Sequence, residues 1–147
     1  IPDIVLTSDI IVGFPGETEA EFEETLSLLE EVRFDSLFTF IFSPRVGTPA
    51  AKMDDPVPMA EKKKWFQRLL DTQNRISVEK HKEYIGRILP VLVEEENPAD
   101  AVNNLNCRTD GWRLVHVPGD VSLLGQRKKV KITDCSTWSL FGEFVEE

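Results

Sequence analysis

The sequence has only two cysteines, no long apolar run and no excess of basic residues, and each shortage excludes a class of protein. Cys107 and Cys135 lie 28 residues apart, and neither has a spacing to His81 or His116 that is typical of metal ligands. A disulfide scaffold and a cysteine-rich metal site are therefore not expected. We expect two ordinary thiols in a reducing compartment.

No segment is apolar for long enough to span a bilayer. The best candidate, 4–14, is short and contains Asp9, and no basic segment precedes it as in a signal peptide. We therefore expect a cytoplasmic protein with no membrane partner.

The charge is acidic throughout. The net formal charge of the 147 residues is -9. Residues 1–81 carry 9 basic and 15 acidic residues, and residues 82–147 carry 8 and 11. A protein that binds nucleic acid usually gathers basic residues, and here they gather only locally, at Arg127, Lys128, Lys129 and Lys131 and at Arg108 and Arg113. Charge alone is more typical of a strand edge guarded by lysines, and both interpretations stay open.

The first strand predicted by the sequence is Ile4 to Val12, which is rich in β-branched residues. Its apolar composition predicts burial on both faces of a parallel sheet. Asp9 is the exception. Because strand side chains alternate, we expect Asp9, Ile11 and Gly13 to share one face, which therefore carries a carboxylate and ends in a glycine.

A turn and a helix follow this strand. Gly13 and Gly16 permit positive φ, and Thr18 with Glu21 has the spacing of a capping box. Apolar residues then recur at helical spacing over about four turns, at Phe22, Leu26, Leu29 and Val32. A second strand is predicted at Leu37 to Phe42. Strand, helix and strand form a parallel unit, in which ligands gather at the carboxyl ends of the strands.

The period of the sequence changes after a long second helix. That helix is predicted from Pro58 to about Lys80, with the pair Trp65 and Phe66 in its core face. Short strands separated by turn residues follow, at Ile88 to Glu94, Arg113 to Val117, Lys128 to Ile132 and Leu140 to Val145. About five such strands predict a small closed or half-closed barrel of the oligonucleotide-binding kind. The expected fold is α/β in residues 1–81 followed by all-β in residues 82–147.

Two groups of motifs carry a resemblance to a known family. D-I-I-V-G-F-P-G-E-T at 9–18 and F-I-F-S-P-R-V-G-T-P-A-A at 40–51 resemble the last βαβα part of the open, TIM-like radical S-adenosylmethionine barrel of the methylthiotransferases. V-L-V-E at 91–94, C-R-T-D-G-W-R-L-V at 107–115, G-Q-R-K-K-V-K-I-T at 125–133 and S-L-F-G-E at 139–143 resemble the family's TRAM domain, a five-stranded RNA-binding barrel. The sequence departs from the family at Val46, where proline is usual, and at Cys107 and Trp112, where glycine and asparagine are usual.

The resemblance implies part of an enzyme that adds a methylthio group to N6-isopentenyladenosine next to the tRNA anticodon. Such an enzyme uses S-adenosylmethionine and 4Fe-4S clusters, and its cluster cysteines, C-x-x-x-C-x-x-C, would precede residue 1. We therefore expect no catalytic residue and no metal ligand in this chain, no cofactor bound by it alone, and no activity without the missing N-terminal domains. The opening Ile1-Pro2-Asp3, directly before a core strand, also suggests truncation.

The same resemblance implies two sets of site residues. The cofactor wall is expected at Asp9, Ile11, Gly13, Thr39, Ser43 and Arg45, with Arg45 orienting an anionic group. The tRNA anticodon stem-loop is expected to contact the terminal barrel at Arg108, Trp112, Arg113, Lys128, Lys129 and Lys131, with Trp112 able to stack on a base.

Two alternatives stay open. One is a self-standing RNA-binding module whose α/β segment is only a scaffold, and the other is a ribosomal-protein aspartate methylthiotransferase. The patterns S-P-R-x-G-T-P-A-A and R-T-x-x-x-x-x-V favour the tRNA enzyme. An upstream reading frame that continues into C-x-x-x-C-x-x-C would distinguish an enzyme from a module.

Overall fold

The computed structural model of the chain describes residues 1–146, which fall into two compact units. The α/β unit comprises Val5–Ile76. The barrel unit comprises Ile1–Ile4 and the chain from Ser77 onwards. This division falls inside a helix, at Ile76.

The α/β unit has two parallel strands and two helices. Strand β1 (Thr7–Val12) leads through a turn into helix α1 (Glu19–Val32), and β2 (Ser36–Ile41) then pairs with β1 from Thr7↔Ser36 to Val12↔Ile41. A single 3-10 turn (Ala50–Lys52) precedes helix α2 (Met59–Lys82). The strand, helix and strand order predicted from the sequence is confirmed.

Helix α1 begins with the predicted capping box. The Glu21 amide donates to Thr18 Oγ1 (3.3 Å), and the Thr18 amide donates to Glu21 Oε2 (2.7 Å). These bonds satisfy backbone donors that the first turn of a helix leaves without partners. The apolar stripe of α1 packs against α2, where Trp65 stacks on Phe22 with ring centroids 5.5 Å apart. The predicted core role of Trp65 is confirmed.

The expectation that β1 is buried on both faces is wrong. The side that carries Ile10 and Val12 packs against the helices, whereas Ile11 on the other side is 54% exposed. Phe38 and Phe40 of β2 are exposed on the same side as Ile11. The reason is that the helices form one layer, and nothing within residues 1–146 covers the second face of this sheet.

The barrel unit contains five strands in a closed ring. They are β3 (Ile88–Glu96), β4 (Leu105–Thr109), β5 (Leu114–Val117), β6 (Arg127–Cys135) and β7 (Leu140–Phe144), in the order β3-β4-β5-β7-β6. All neighbours are antiparallel except β5 and β7, which are parallel. The predicted small closed barrel is confirmed. The sequence did not predict β4, because Asn106 and Arg108, its outward residues, follow an Asn-rich stretch typical of a loop.

One glycine is required by the closeness of two strands. A Cβ on Gly142 would lie 2.6 Å from the Lys131 carbonyl oxygen and 2.4 Å from Val130 Cγ1. The first of these atoms belongs to the backbone and cannot move aside. Only glycine therefore fits at this position, where β7 pairs with β6.

The helices of residues 1–146 lack the combination of length and apolarity that crossing a membrane requires.

Candidate functional site

The uncovered face of the α/β sheet is the first candidate site. The register places Asp9 opposite Phe38 and Ile11 opposite Phe40, and all four side chains are exposed. This face combines one carboxylate with three large apolar groups. It can therefore hold a ligand that has both an apolar surface and hydrogen-bond donors.

Two of the predicted cofactor residues lie elsewhere. Thr39 pairs with Ile10, whose side chain packs against the helices, so Thr39 points away from Ile11. Gly13 has φ +74°, and a Cβ built on it would lie 2.5 Å from Lys62 Cδ on α2. The expectation that Gly13 shares a face with Asp9 is therefore wrong, because β1 ends at Val12 and the alternation ends with it, and Thr39 does not join that face because its register partner is Ile10.

Lys62 is a buried charge that the sequence analysis missed. It is 2% exposed, and its Nζ lies 2.5 Å from Asp55 Oδ2 and 5.9 Å from the centre of the Phe42 ring. Its methylenes pack against Gly13, whose amide donates to Glu17 Oε1 (3.1 Å). These contacts brace the turn after β1. A signal existed, because Lys62 occupies the apolar stripe of α2, three residues before Trp65.

Ser43 and Arg45 follow the carboxyl end of β2, and both are exposed. The Arg45 carbonyl accepts hydrogen bonds from the Thr48 amide (3.2 Å) and hydroxyl (2.8 Å), which hold its loop. Within residues 1–146 its guanidinium forms no ion pair. Arg45 can therefore engage an external carboxylate or phosphate.

The thiols do not fit an iron–sulfur cluster. Cys107 is fully buried in the barrel core, and burial raises the pKa of its thiol to about 11. A cluster needs several deprotonated thiolates. Within the described part of the chain there is no group of three or more histidine, cysteine, aspartate or glutamate side chains able to hold a metal ion.

The second candidate site is the outer surface of β6. Lys129 and Lys131 are exposed and share one face, whereas Lys128 is half-buried on the other. None of the three forms an ion pair with another residue of 1–146. Arg127, in contrast, is paired with Asp110 at 3.4 Å. The free lysine ammonium groups can bind phosphates without first breaking an ion pair.

The turn between β4 and β5 presents an arginine and a tryptophan together. The Arg108 guanidinium lies 5.4 Å from the centre of the Trp112 ring, and its Nε donates to Glu94 Oε2 at 3.1 Å. Trp112 is 76% exposed and has a left-handed backbone, with φ +64°. The Trp112 amide donates to the Thr109 carbonyl (2.9 Å) and closes the turn.

Arg113 is buried, contrary to its expected role in contacting RNA. Its guanidinium lies 4.5 Å from the centre of the Tyr84 ring, on which Arg87 also packs at 4.8 Å. Arg113 is buried because it occupies an inward-facing position directly before β5. It braces the barrel, and the exposed lysines Lys129 and Lys131 lie on β6.

Comparison with known proteins identifies similar chains. The TRAM domain model matches residues 82–145. The chain is 55% identical over 149 aligned residues to tRNA-2-methylthio-N(6)-dimethylallyladenosine synthase of Bacillus cytotoxicus, and 52% identical over 145 to that of Acetivibrio thermocellus. The alignments cover 100% and 99% of this chain but 29% and 30% of the relatives. The chain thus spans about 30% of the length of these relatives.

Proposed function

Because residues 82–145 belong to the TRAM domain family and the whole chain is homologous to a segment of tRNA-2-methylthio-N(6)-dimethylallyladenosine synthases, we propose that it is part of a tRNA methylthiotransferase. In the whole enzyme, a methylthio group is added to N6-isopentenyladenosine beside the anticodon. The proposed partners are the tRNA anticodon stem-loop and the further domains of the same enzyme, in the cytoplasm. The single observation that carries this proposal is identity above 50% over the full chain.

In this proposal residues 1–81 supply the last part of a radical S-adenosylmethionine barrel, and residues 82–147 hold the RNA. S-adenosylmethionine with the iron–sulfur clusters supplies the radical chemistry when they are bound. Two features support the assignment, namely parallel strands joined through a helix and an uncovered apolar face beside β1. We expect residues 1–147 alone to be inactive, because the cysteine set typical of the family is not among them.

We assign the cofactor wall to Asp9 and Ile11 on the uncovered face and to Ser43 and Arg45 beyond β2. Ile11 offers an apolar surface to a flat ring, while the Asp9 carboxylate accepts hydrogen bonds. Arg45 orients an anionic group through bidentate hydrogen bonds from its guanidinium. Lys62 and Gly13 do not touch the ligand in this assignment, and they hold the turn in place.

The RNA-binding surface that we propose consists of Lys129 and Lys131 on β6 with Arg108 on β4, whereas Lys128 lies on the inward side of β6 and is not part of it. Lys129 and Lys131 form no ion pairs within residues 1–146, so no ion pair has to break before these lysines bind a phosphate. Each phosphate contact contributes about 0.7 to 0.9 to the log–log slope of affinity against salt. Because the chain is acidic overall, we expect few contacts and weak affinity without the other domains.

Titration with an anticodon stem-loop RNA at two salt concentrations tests this surface. The double variant Lys129→Glu/Lys131→Glu should lose most of the affinity and about two units of the salt slope. Lys63→Glu/Lys64→Glu on α2 makes the same change of net charge and is the matched control. Equal effects of the two double variants, or binding that ignores salt, would contradict the assignment.

A self-standing RNA-binding module is the second candidate function. It is favoured by one observation, that the barrel core consists entirely of barrel residues. Assays of the full-length parent separate the two candidates. A parent with an intact C-x-x-x-C-x-x-C segment that never modifies tRNA would favour the module.

A further inference from the structure

Two exposed tryptophans lie at the same end of the barrel. Strands β5 and β7 are adjacent and parallel, with Val115 opposite Leu140. Trp112 comes three residues before Val115, and Trp138 comes two residues before Leu140. Since neighbouring strands are about 4.8 Å apart, the two turns that carry these rings lie side by side.

The turn that carries Trp138 is held rigidly. Ser136 Oγ accepts hydrogen bonds from the amides of Trp138 (3.2 Å) and Ser139 (3.1 Å), and the Ser136 amide donates to the Ser139 carbonyl (2.8 Å). His81 Nδ1 donates to the Ser136 carbonyl at 2.8 Å. Nevertheless the indole is 74% exposed. Little conformational entropy of the backbone would be lost when this ring binds a partner.

Trp112 adopts a backbone conformation that tryptophan rarely takes, with φ +64°. The left-handed region is unfavourable for a bulky side chain, and such outliers persist mainly at functional sites. A tryptophan there gains nothing from burial, because most of its surface faces solvent. The Arg108 guanidinium packs on the ring.

Two cationic side chains lie towards this end of the barrel. Lys131, which forms no ion pair within residues 1–146, lies opposite Ile88 at the start of β3, the end to which both turns belong. Arg108, which is paired with Glu94 at 3.1 Å, places a second cationic group beside Trp112. Flat aromatic faces beside cations suit nucleobases, which stack on tryptophan while their phosphates meet the charges.

We propose that Trp112 and Trp138 form a stacking pair for two unpaired bases of single-stranded RNA. This inference rests on the proposed RNA-binding function and names its ligand as unpaired nucleotides rather than duplex. It adds Trp138, which lies outside the basic surface, as a residue that contacts RNA. Stacking on one aromatic residue raises affinity by about 5- to 150-fold per base.

The test uses the whole chain and a fluorescent oligoadenylate of about eight nucleotides, within the size that one such barrel binds. A strand of equal length without bases presents the same phosphates and is the control ligand. Trp138→Ala removes one ring, and Trp112→Asn removes the other with a residue that tolerates the left-handed backbone. Val102→Ala, an exposed apolar change at the opposite end of the barrel, is the control variant.

We expect each tryptophan variant to weaken oligoadenylate binding at least fivefold at low salt, with little change for the baseless strand. Trp138→Tyr, which keeps an aromatic face, should stay within about threefold of the parent chain. Circular dichroism of each variant checks that the barrel is folded.

Three outcomes would overturn the proposal. Salt-dependent binding that survives both tryptophan variants would remove the stacking pair and leave the RNA-binding function standing. Equal losses for the two strands would assign the rings to phosphate or structural roles. If the parent chain binds neither oligoadenylate nor the stem-loop, the RNA-binding function fails and the stacking pair fails with it.

Discussion

The barrel unit closes its sheet into a ring, whereas the α/β unit leaves its sheet open. In the barrel every strand pairs with a neighbour on both sides, and the inward residues are fully buried. In the α/β unit the sheet has two strands, and one face exposes Ile11, Phe38 and Phe40. Closure makes the barrel complete in itself, whereas an open sheet with an apolar face depends on something to cover it. The surfaces that we propose for ligands reflect this difference, being charged on the barrel and apolar on the sheet.

The largest effect on stability should come from a methyl group added where paired strands β6 and β7 lie closest together. Gly142→Ala places a Cβ against the Lys131 carbonyl, and we expect the barrel to lose about 3 kcal/mol of unfolding free energy or more. Denaturant unfolding followed by circular dichroism measures the loss. Gly47→Ala, which meets no atom within 4 Å, is the control and should cost only the strain of its positive φ. Similar losses in both variants would show that the close approach is not limiting.

A smaller effect should follow removal of the buried charge in the α/β unit. Lys62→Met leaves the Asp55 carboxylate without its ammonium partner, and we expect a loss of about 2 kcal/mol. Asp55→Asn combined with Lys62→Met should recover part of it, as a double-mutant cycle would reveal. Lys63→Met, on the exposed side of α2, is the control. If Lys62→Met changes stability no more than Lys63→Met, the pair does not brace the turn.

The smallest effect should be a pH dependence confined to the barrel. Burial lowers the pKa of His116 below its ordinary 6.5, against a weaker opposing effect of Asp100, and its Nδ1 donates to Asn106 Oδ1 at 2.8 Å. The folded state therefore binds a proton less readily than the unfolded state. Barrel stability should be complete above pH 6.5 and fall as the pH drops towards the lowered folded-state pKa. His116→Gln should flatten this part of the profile, and an unchanged slope would exclude His116 as its source.

Local sequence signals predicted the parts of the fold that depend on neighbouring residues. The capping box at Thr18 and the helical stripe that includes Trp65 both appear as expected, because each is set within a few residues. The positive φ of Gly13 and Gly16 was predictable for the same reason. Family motifs supplied the closed barrel, which periodicity alone left closed or half-closed.

Features that depend on distant residues could not be read in this way. The face on which Thr39 lies depends on the register of β2 with β1. The burial of Arg113 depends on contact with Tyr84, which follows the end of helix α2. The place of Lys62 in the apolar stripe of α2 indicates that it is buried, but no local pattern identifies its partners Asp55 and Gly13, which meet it only in the folded unit. Strand β4 was missed because its inward residues, which include Cys107, do not form a β-branched run.

The three tryptophans divide between environments in a way that gives the molecule its own optical reporters. Trp65 is 3% exposed in the α/β core, while Trp112 and Trp138 face solvent on the barrel. Indole emission shifts to longer wavelength in water, so the blue part of the spectrum belongs to Trp65 and the red part to the barrel pair. A solute that quenches only accessible rings should dim the red part first. Loss of the α/β core should instead shift the blue part to the red, and one spectrum would then follow both units without any attached label.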